Sequence, residues 1–223
     1  MPPVAPPVRR RIALRAFSIA LAATPFGLTF GAIARASGLT LWETVGFSVF
    51  VFTGSAQFAA VAILSDGGAV VAAVTAGLLL NLRSLAFGVL LAPDLRGPLW
   101  WRALVSQLVI DESAAVATSE DDSAARRWGF LVGGMAVFVL WNLSTVLGAV
   151  LVPVGGRLIH TYGLDATIPA AFLGLLWPRL ADATQRRVAL TGAMIALALT
   201  PFTSPGVAVV AAVLAVVIPW RRG

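Results

Sequence analysis

Val51-Phe52-Thr53-Gly54-Ser55-Ala56-Gln57-Phe58-Ala59-Ala60 is the stretch on which the reading of this chain turns. It lies inside a run of 22 residues, Thr44 to Ser65, that carries no charge, yet Thr53, Gly54, Ser55 and Gln57 crowd its centre. Hydrocarbon offers no water to an exposed N–H or C=O, so a Thr-Gly-Ser break is tolerated only where the backbone faces protein or a water-filled cavity. Secondary transporters use broken segments of this kind to hold substrate near the membrane midplane. The competing reading is packing alone: Ser and Thr bond back to their own helix, and Gly54 admits a close neighbour.

The rest of the chain makes the membrane the right solvent to consider. Of 223 residues, 59% are hydrophobic and 12% charged, and mean hydropathy is +0.91. Uncharged runs are far longer than a soluble core needs, which defines an all-α, polytopic helical integral membrane protein. The formal charge of +6 is not a nucleic-acid signal here, because the arginines stand at the ends of apolar runs as topology anchors. Lysine and cysteine are both absent. No Gly-Lys-Ser/Thr nucleotide loop exists in the chain, and disulfides and thiolate metal sites are excluded. No cofactor is expected.

Read in order, residues 1–15 form a Pro-rich, then arginine-rich, disordered tail on the cytoplasmic side. A single membrane domain covers 16–220 and a basic tail 221–223. Arg9, Arg10, Arg11 and Arg15 precede the uncharged run Ala16–Ala34; a signal peptide is the alternative, but the run continues beyond the Ala20-Leu21-Ala22 site. Within it Pro25 removes a helix hydrogen bond, and Gly27 and Gly31 share a face suited to helix packing. From Gly67 to Pro93 the only charge is Arg83, 16 residues from one end and 10 from the other. Snorkelling is one reading; an inward-facing arginine that pairs with a carboxylate or receives an anionic group is the favoured one.

Residues 94–128 are a polar linker. Within it Leu99–Thr118 is expected to be a helix that either lies along the surface or crosses the membrane against a polar interior. Adjacent helical residues point about 100° apart, so at most one of Asp111 and Glu112 is expected to face a site, as an ion-coupling or Arg83-pairing group. Gly129–Pro153 is an uncharged span of 25 residues with Trp141-Asn142-Leu143-Ser144-Thr145 in its middle. His160 reads as a surface group. Ala166–Pro178 has 13 uncharged residues, about 20 Å of helix, too short for a hydrocarbon core of about 30 Å, so a half-span is expected. Val188–Trp220 is interrupted at Thr200-Pro201 and Ser204-Pro205 and reads as two short spans.

A weak repeat relates 16–93 to 129–205. Thr24–Ala32 resembles Trp141–Ala149 at an offset of 117, Ala56–Ala60 resembles Ala170–Gly174 at 114, and Asn81 falls near Thr200 at 119. Such a duplicated three-segment unit is an architecture that binds substrate between its halves. Whether the halves run parallel or inverted depends on whether Leu99–Thr118 spans, and the sequence leaves that open.

Pro25-Phe26-Gly27 with Phe30-Gly31-Ala32, then Phe52-Thr53-Gly54-Ser55-Ala56-Gln57-Phe58, then Asn81-Leu82-Arg83, then Asp111-Glu112, in that order and spacing, resemble the AzlC family, the large subunit of branched-chain amino acid exporters. Ser84 departs from the histidine common after Asn-Leu-Arg in that family, and Val109-Ile110 from the usual Leu-Thr; substrate preference is the attribute these differences bear on. The resemblance implies an inner-membrane permease of about seven segments, some broken or half-spanning, driven by the proton gradient. It also implies a small AzlD-type membrane subunit as partner, with self-association as a further expectation. On the residues themselves, Arg83 or the N–H groups of a helix restarting at Ser55 suit a carboxylate. Gln57, Asn81 or one of Asp111 and Glu112 suit an ammonium, and Phe26, Phe30, Phe52 and Phe58 an apolar wall. Pro25, Gly27, Gly54 and Asn142 complete the candidate substrate-binding set. A passive channel for small zwitterions is the alternative function. An intramembrane enzyme would need convergent acid, base or metal ligands, which one histidine and one split acidic pair do not supply.

Overall fold

The computed structural model describes residues 4–151, 173, 177–203 and 205–217, all of whose regular elements are helical. His160, Tyr162, most of the expected half-span Ala166–Pro178 and the second member of the 114 offset lie outside them. Among the described residues three helices are long and apolar enough to cross a membrane: α1 (Pro6–Ala36), α4 (Val70–Leu91) and α7 (Ser123–Leu151). Between them lie two pairs of short helices, α2 (Leu41–Phe50) with α3 (Gly54–Ser65), and α5 (Leu99–Ser106) with α6 (Asp111–Thr118). A 3-10 turn at Trp177–Ala181 leads to α8 (Ala183–Leu199), α9 (Pro205–Ala211) and α10 (Leu214–Val217). The break between α8 and α9 falls at the expected Thr200-Pro201.

Helix α1 begins at Pro6, so residues 6–15 are helical and not a disordered tail. Proline at the start of a helix has its φ already set and no N–H to lose. Past it, Ile12 and Ala16 are buried with Val116 and Ala125, next to Val8 and Trp128, a contact a tail reading does not foresee.

Ion pairs and hydrogen bonds fix the topology. Arg11 bonds Glu120 at 2.5 Å, Ser123 bonds Asp94 at 2.5 Å, Arg126 lies 3.7 Å from Asp94, and Arg127 donates to the carbonyl of Arg96. The start of α1, the end of α4, the start of α5, the end of α6 and the start of α7 therefore gather on one side. Helix α5 enters from that side and α6 returns to it. Leu99–Thr118 is therefore not one crossing helix but two short helices that return to the side they left, a re-entrant hairpin in form. By the same logic α4 starts on the opposite side. Helix α2, which follows the end of α1, enters from that opposite side, and α3, which precedes α4, returns to it. The uncharged run Thr44–Ser65 is thus a second re-entrant hairpin and not a broken span. Its length misleads because about 20 residues suffice either to cross once or to dip halfway and come back.

With α1 up, α4 down and α7 up, α1 and α7 run parallel. Their contact is the largest in the fold and depends on glycine. A Cβ on Gly31 would meet the Thr145 carbonyl oxygen at 2.0 Å and the Ala149 nitrogen at 2.8 Å; one on Gly148 would meet the Leu28 oxygen at 1.9 Å and the Ala32 nitrogen at 3.1 Å. Small residues let the two backbones touch, which is how helices associate where burial from water supplies no force. Thr145 Oγ1 reinforces the contact by donating to the Gly27 carbonyl at 3.2 Å.

Candidate functional site

Each hairpin must turn inside the membrane, and each turn exposes backbone groups that need partners. Helix α2 ends at Phe50, and its last carbonyls have no acceptor role left within the helix. The Phe47 carbonyl accepts from the Val51 N–H at 2.9 Å. Gln57 Nε2 donates to the carbonyls of Ser48 (3.3 Å) and Val51 (2.8 Å). Gln107 Nε2 donates to those of Val49 (2.7 Å) and Phe50 (3.3 Å). Two glutamines thus close the whole carbonyl end of α2, and one of them comes from the tip of the other hairpin. In the second hairpin a single serine does the equivalent work: Ser113 Oγ receives the Ile110 N–H at 3.2 Å and lies 2.6 Å from the Leu108 oxygen.

Beyond these turns, α3 and α6 both restart with their N-termini at one cavity of about 250 Å³. Thr53, Gly54 and Ser55 line it from the first hairpin, and Ile110, Asp111 and Glu112 from the second. Arg83 reaches it from α4. Its Nη2 donates to Ser55 Oγ at 2.7 Å and its Nη1 lies 2.5 Å from Asp111 Oδ2. The arginine is neither a snorkelling end marker nor sealed in dry packing, since its side chain is 36% and that of Asp111 30% exposed. Ile19, Ala22, Ala23 and Phe26 of α1, Phe52 and Phe58, and Val137 and Trp141 of α7 supply the apolar wall.

The charge balance is informative. Arg83 and Asp111 pair with each other, which leaves Glu112 as the lining carboxyl without an ion-pair partner among the described residues. Asp111 and Glu112 both face the cavity, contrary to the expectation from their angular separation. They occupy the first turn of α6, where the helix end itself forms part of the wall, and residues 100° apart can flank one opening there. Two helix N-termini, each with a partial positive charge, therefore meet a cavity that one of them also furnishes with carboxylates.

Of the residues singled out from sequence, Phe26, Gly54, Ser55, Phe58, Arg83, Asp111 and Glu112 line the cavity. Pro25, Gly27, Phe30, Gln57, Asn81 and Asn142 do not. Pro25 is exposed, and its carbonyl accepts from Thr29 Oγ1 at 2.8 Å. Gly27 is pressed against Trp141 and Ser144. Phe30 is fully buried, edge-on to Phe47 and Phe58. Gln57, also fully buried, is committed to the turn. Asn142 donates back to its own helix at Phe138, 2.8 Å away, while Asn81 lies off the lining, two residues before Arg83. Sequence reasoning missed Trp141 and Gln107. An indole in the middle of an uncharged span was the available signal for the first; for the second, nothing local marked a glutamine in a polar linker as the cap of a helix 57 residues away.

Three apolar helices and two hairpins around one largely apolar cavity with a few polar groups define a helical membrane protein. The profile of the AzlC protein family matches residues 18–154, more than half of the chain, and the chain belongs to that family. An uncharacterized membrane protein of Archaeoglobus fulgidus is 30% identical over 203 residues, covering 89% of this chain and 88% of that protein. The inner membrane protein YgaZ of Escherichia coli K12 is 27% identical over 172 residues, covering 71% and 67%. No solved structure matches.

Proposed function

We propose that this chain is a secondary transporter that exports branched-chain or similar apolar amino acids across the cytoplasmic membrane, coupled to proton movement. The observation that carries the reading is the convergence of two hairpin tips, entering from opposite sides, on one cavity that holds Arg83, Asp111 and Glu112. A zwitterion with an aliphatic side chain needs an anion receiver, a cation receiver and a dry wall. The N-terminus of α3 with Arg83 receives the carboxylate, Glu112 the ammonium, and Phe26, Phe52, Phe58, Val137 and Trp141 the side chain. Hairpins from opposite sides suit alternating access, each closing one route to the shared site. A carboxylate that is protonated while facing one side and released while facing the other supplies the coupling. The arginine-rich side, with Arg9, Arg10, Arg11, Arg15, Arg96, Arg126 and Arg127, is the cytoplasmic one by charge.

The α1–α7 contact supports the duplicated-unit reading. Thr145 stands 117 residues beyond Leu28, Gly148 beyond Gly31 and Ala149 beyond Ala32, so the Gly31 contact becomes the Gly148 contact when the helices are exchanged. That is what a local two-fold between repeats produces. The small AzlD-type subunit is carried into this proposal by family membership alone.

Counterflow of labelled valine, leucine, isoleucine and methionine in proteoliposomes, with and without a small co-purified membrane subunit, tests the reading. In the same vesicles under an imposed pH gradient, uphill accumulation that collapses with an uncoupler is expected. Equilibration without accumulation would mark a passive channel, and no flux of any amino acid, with or without the subunit, would overturn the proposal.

A further inference from the structure

The cavity wall is not uniformly deformable, and this bears on which side chains the site admits. Phe26 is 36% exposed, with room to turn outward. Trp141, at 8% exposure, is held on several sides. Its Nε1–H donates to Gln57 Oε1 at 3.0 Å. The orientation of that amide is itself determined, because the Nε2 end faces the carbonyls of Ser48 and Val51, which only accept. The indole lies edge-on to Phe58, with ring centroids 6.4 Å apart. Over Gly54 it fills the space a side chain would take, since a Cβ there would sit 2.8 Å from its Cη2 atom.

Resting on the amino-acid reading above, we infer that Trp141, positioned by Gln57 and by the bare backbone of Gly54, sets the upper size limit of the substrate side chain. A ring anchored by a buried hydrogen bond to a fully buried amide cannot swing aside without leaving that amide oxygen unpaired. The wall behind the substrate is therefore rigid, and aliphatic side chains are accepted where aromatic ones are excluded. Gln57 acts through Trp141 and does not touch the substrate.

Two substitutions move this limit in opposite directions. Trp141→Leu removes the ring and enlarges the cavity; Gly54→Ala drives the ring into it. Each full-length variant, reconstituted as for the wild type, is assayed by counterflow of labelled alanine, valine, leucine and phenylalanine. Trp141→Leu is expected to raise the phenylalanine-to-leucine rate ratio by about tenfold or more, the range one added or removed hydrophobic contact gives. Gly54→Ala is expected to lower the leucine-to-alanine ratio by a similar factor, and it remains informative if the first variant does not fold. Unchanged ratios in a variant that still transports would overturn the inference and leave the transporter reading intact. A wild-type protein that moves no amino acid would overturn both.

Discussion

The two re-entrant hairpins have the same design and opposite chemistry. Each enters from its own side, turns in mid-membrane and restarts as a short helix whose N-terminus borders the cavity. The first restarts on Thr53-Gly54-Ser55 and brings backbone N–H groups and two hydroxyls; the second restarts on Asp111-Glu112 and brings two carboxyl groups. A bare helix N-terminus attracts an anion. The same end furnished with carboxyl groups suits a cation. The difference gives two similar tips opposite character, the arrangement that the proposed zwitterion calls for, with Arg83 joining them through Ser55 and Asp111. The turns differ in the same sense: α2 depends on glutamines from both hairpins, whereas the second turn is closed by its own Ser113.

Removing the link between the poles breaks this comparison most completely. Arg83→Ala leaves Asp111 without its partner and strips the anion pole of its only full charge, so transport is expected to fall at least about 100-fold. Both partners are about a third exposed, so the loss comes from the missing carboxylate receiver more than from the broken ion pair, and initial counterflow rates check the outcome. Glu112→Gln sharpens the comparison by making the second pole neutral. Counterflow, which needs no net proton movement, is expected to persist at reduced rate, while uphill accumulation driven by an imposed pH gradient disappears.

The joint between the hairpins comes next. Gln107→Leu leaves the carbonyls of Val49 and Phe50 without the donor they now have, at a cost of about 1–3 kcal/mol, and is expected to lower the midpoint of thermal unfolding in detergent and slow transport several-fold. Ser113→Ala leaves the buried Ile110 N–H without its acceptor, at a comparable cost in stability of about 1–3 kcal/mol, but disturbs only its own turn and is expected to change transport rate little. If Gln107→Leu slowed transport no more than Ser113→Ala, the two turns would not differ in the way described.

Much of the site was legible in the sequence because membrane burial makes polar residues conspicuous. Arg83 stands out by depth, Thr53-Gly54-Ser55 by position in an uncharged run, and Asp111-Glu112 as acidic residues in an amphipathic stretch, reinforced by family likeness; all meet at one cavity. Composition also gave the helical membrane class. Topology was harder to read, since hydropathy registers how many apolar residues a segment has and not where it turns back. The reversals rest on contacts between distant residues, Arg11 with Glu120 and Arg126 with Asp94, that no local pattern announces. The candidates that lie off the cavity share a cause as well. Gln57 and Asn142 are conspicuous because they are polar at depth, and in the fold Gln57 satisfies a helix end and Asn142 its own helix. Backbone demand accounts for buried amides as readily as substrate does.

The opposed entry of the two hairpins is the claim on which the cavity, its poles and its gates depend. The chain has no cysteine, so single cysteines at Ser37, Asp66, Pro93 and Asp121 report sidedness directly through a membrane-impermeant maleimide applied to intact cells and to inverted vesicles. The account predicts that Ser37→Cys and Asp66→Cys label from one face and Pro93→Cys and Asp121→Cys from the other. Labelling of Ser37→Cys and Asp66→Cys from opposite faces would show that Thr44–Ser65 crosses the membrane, and would contradict it.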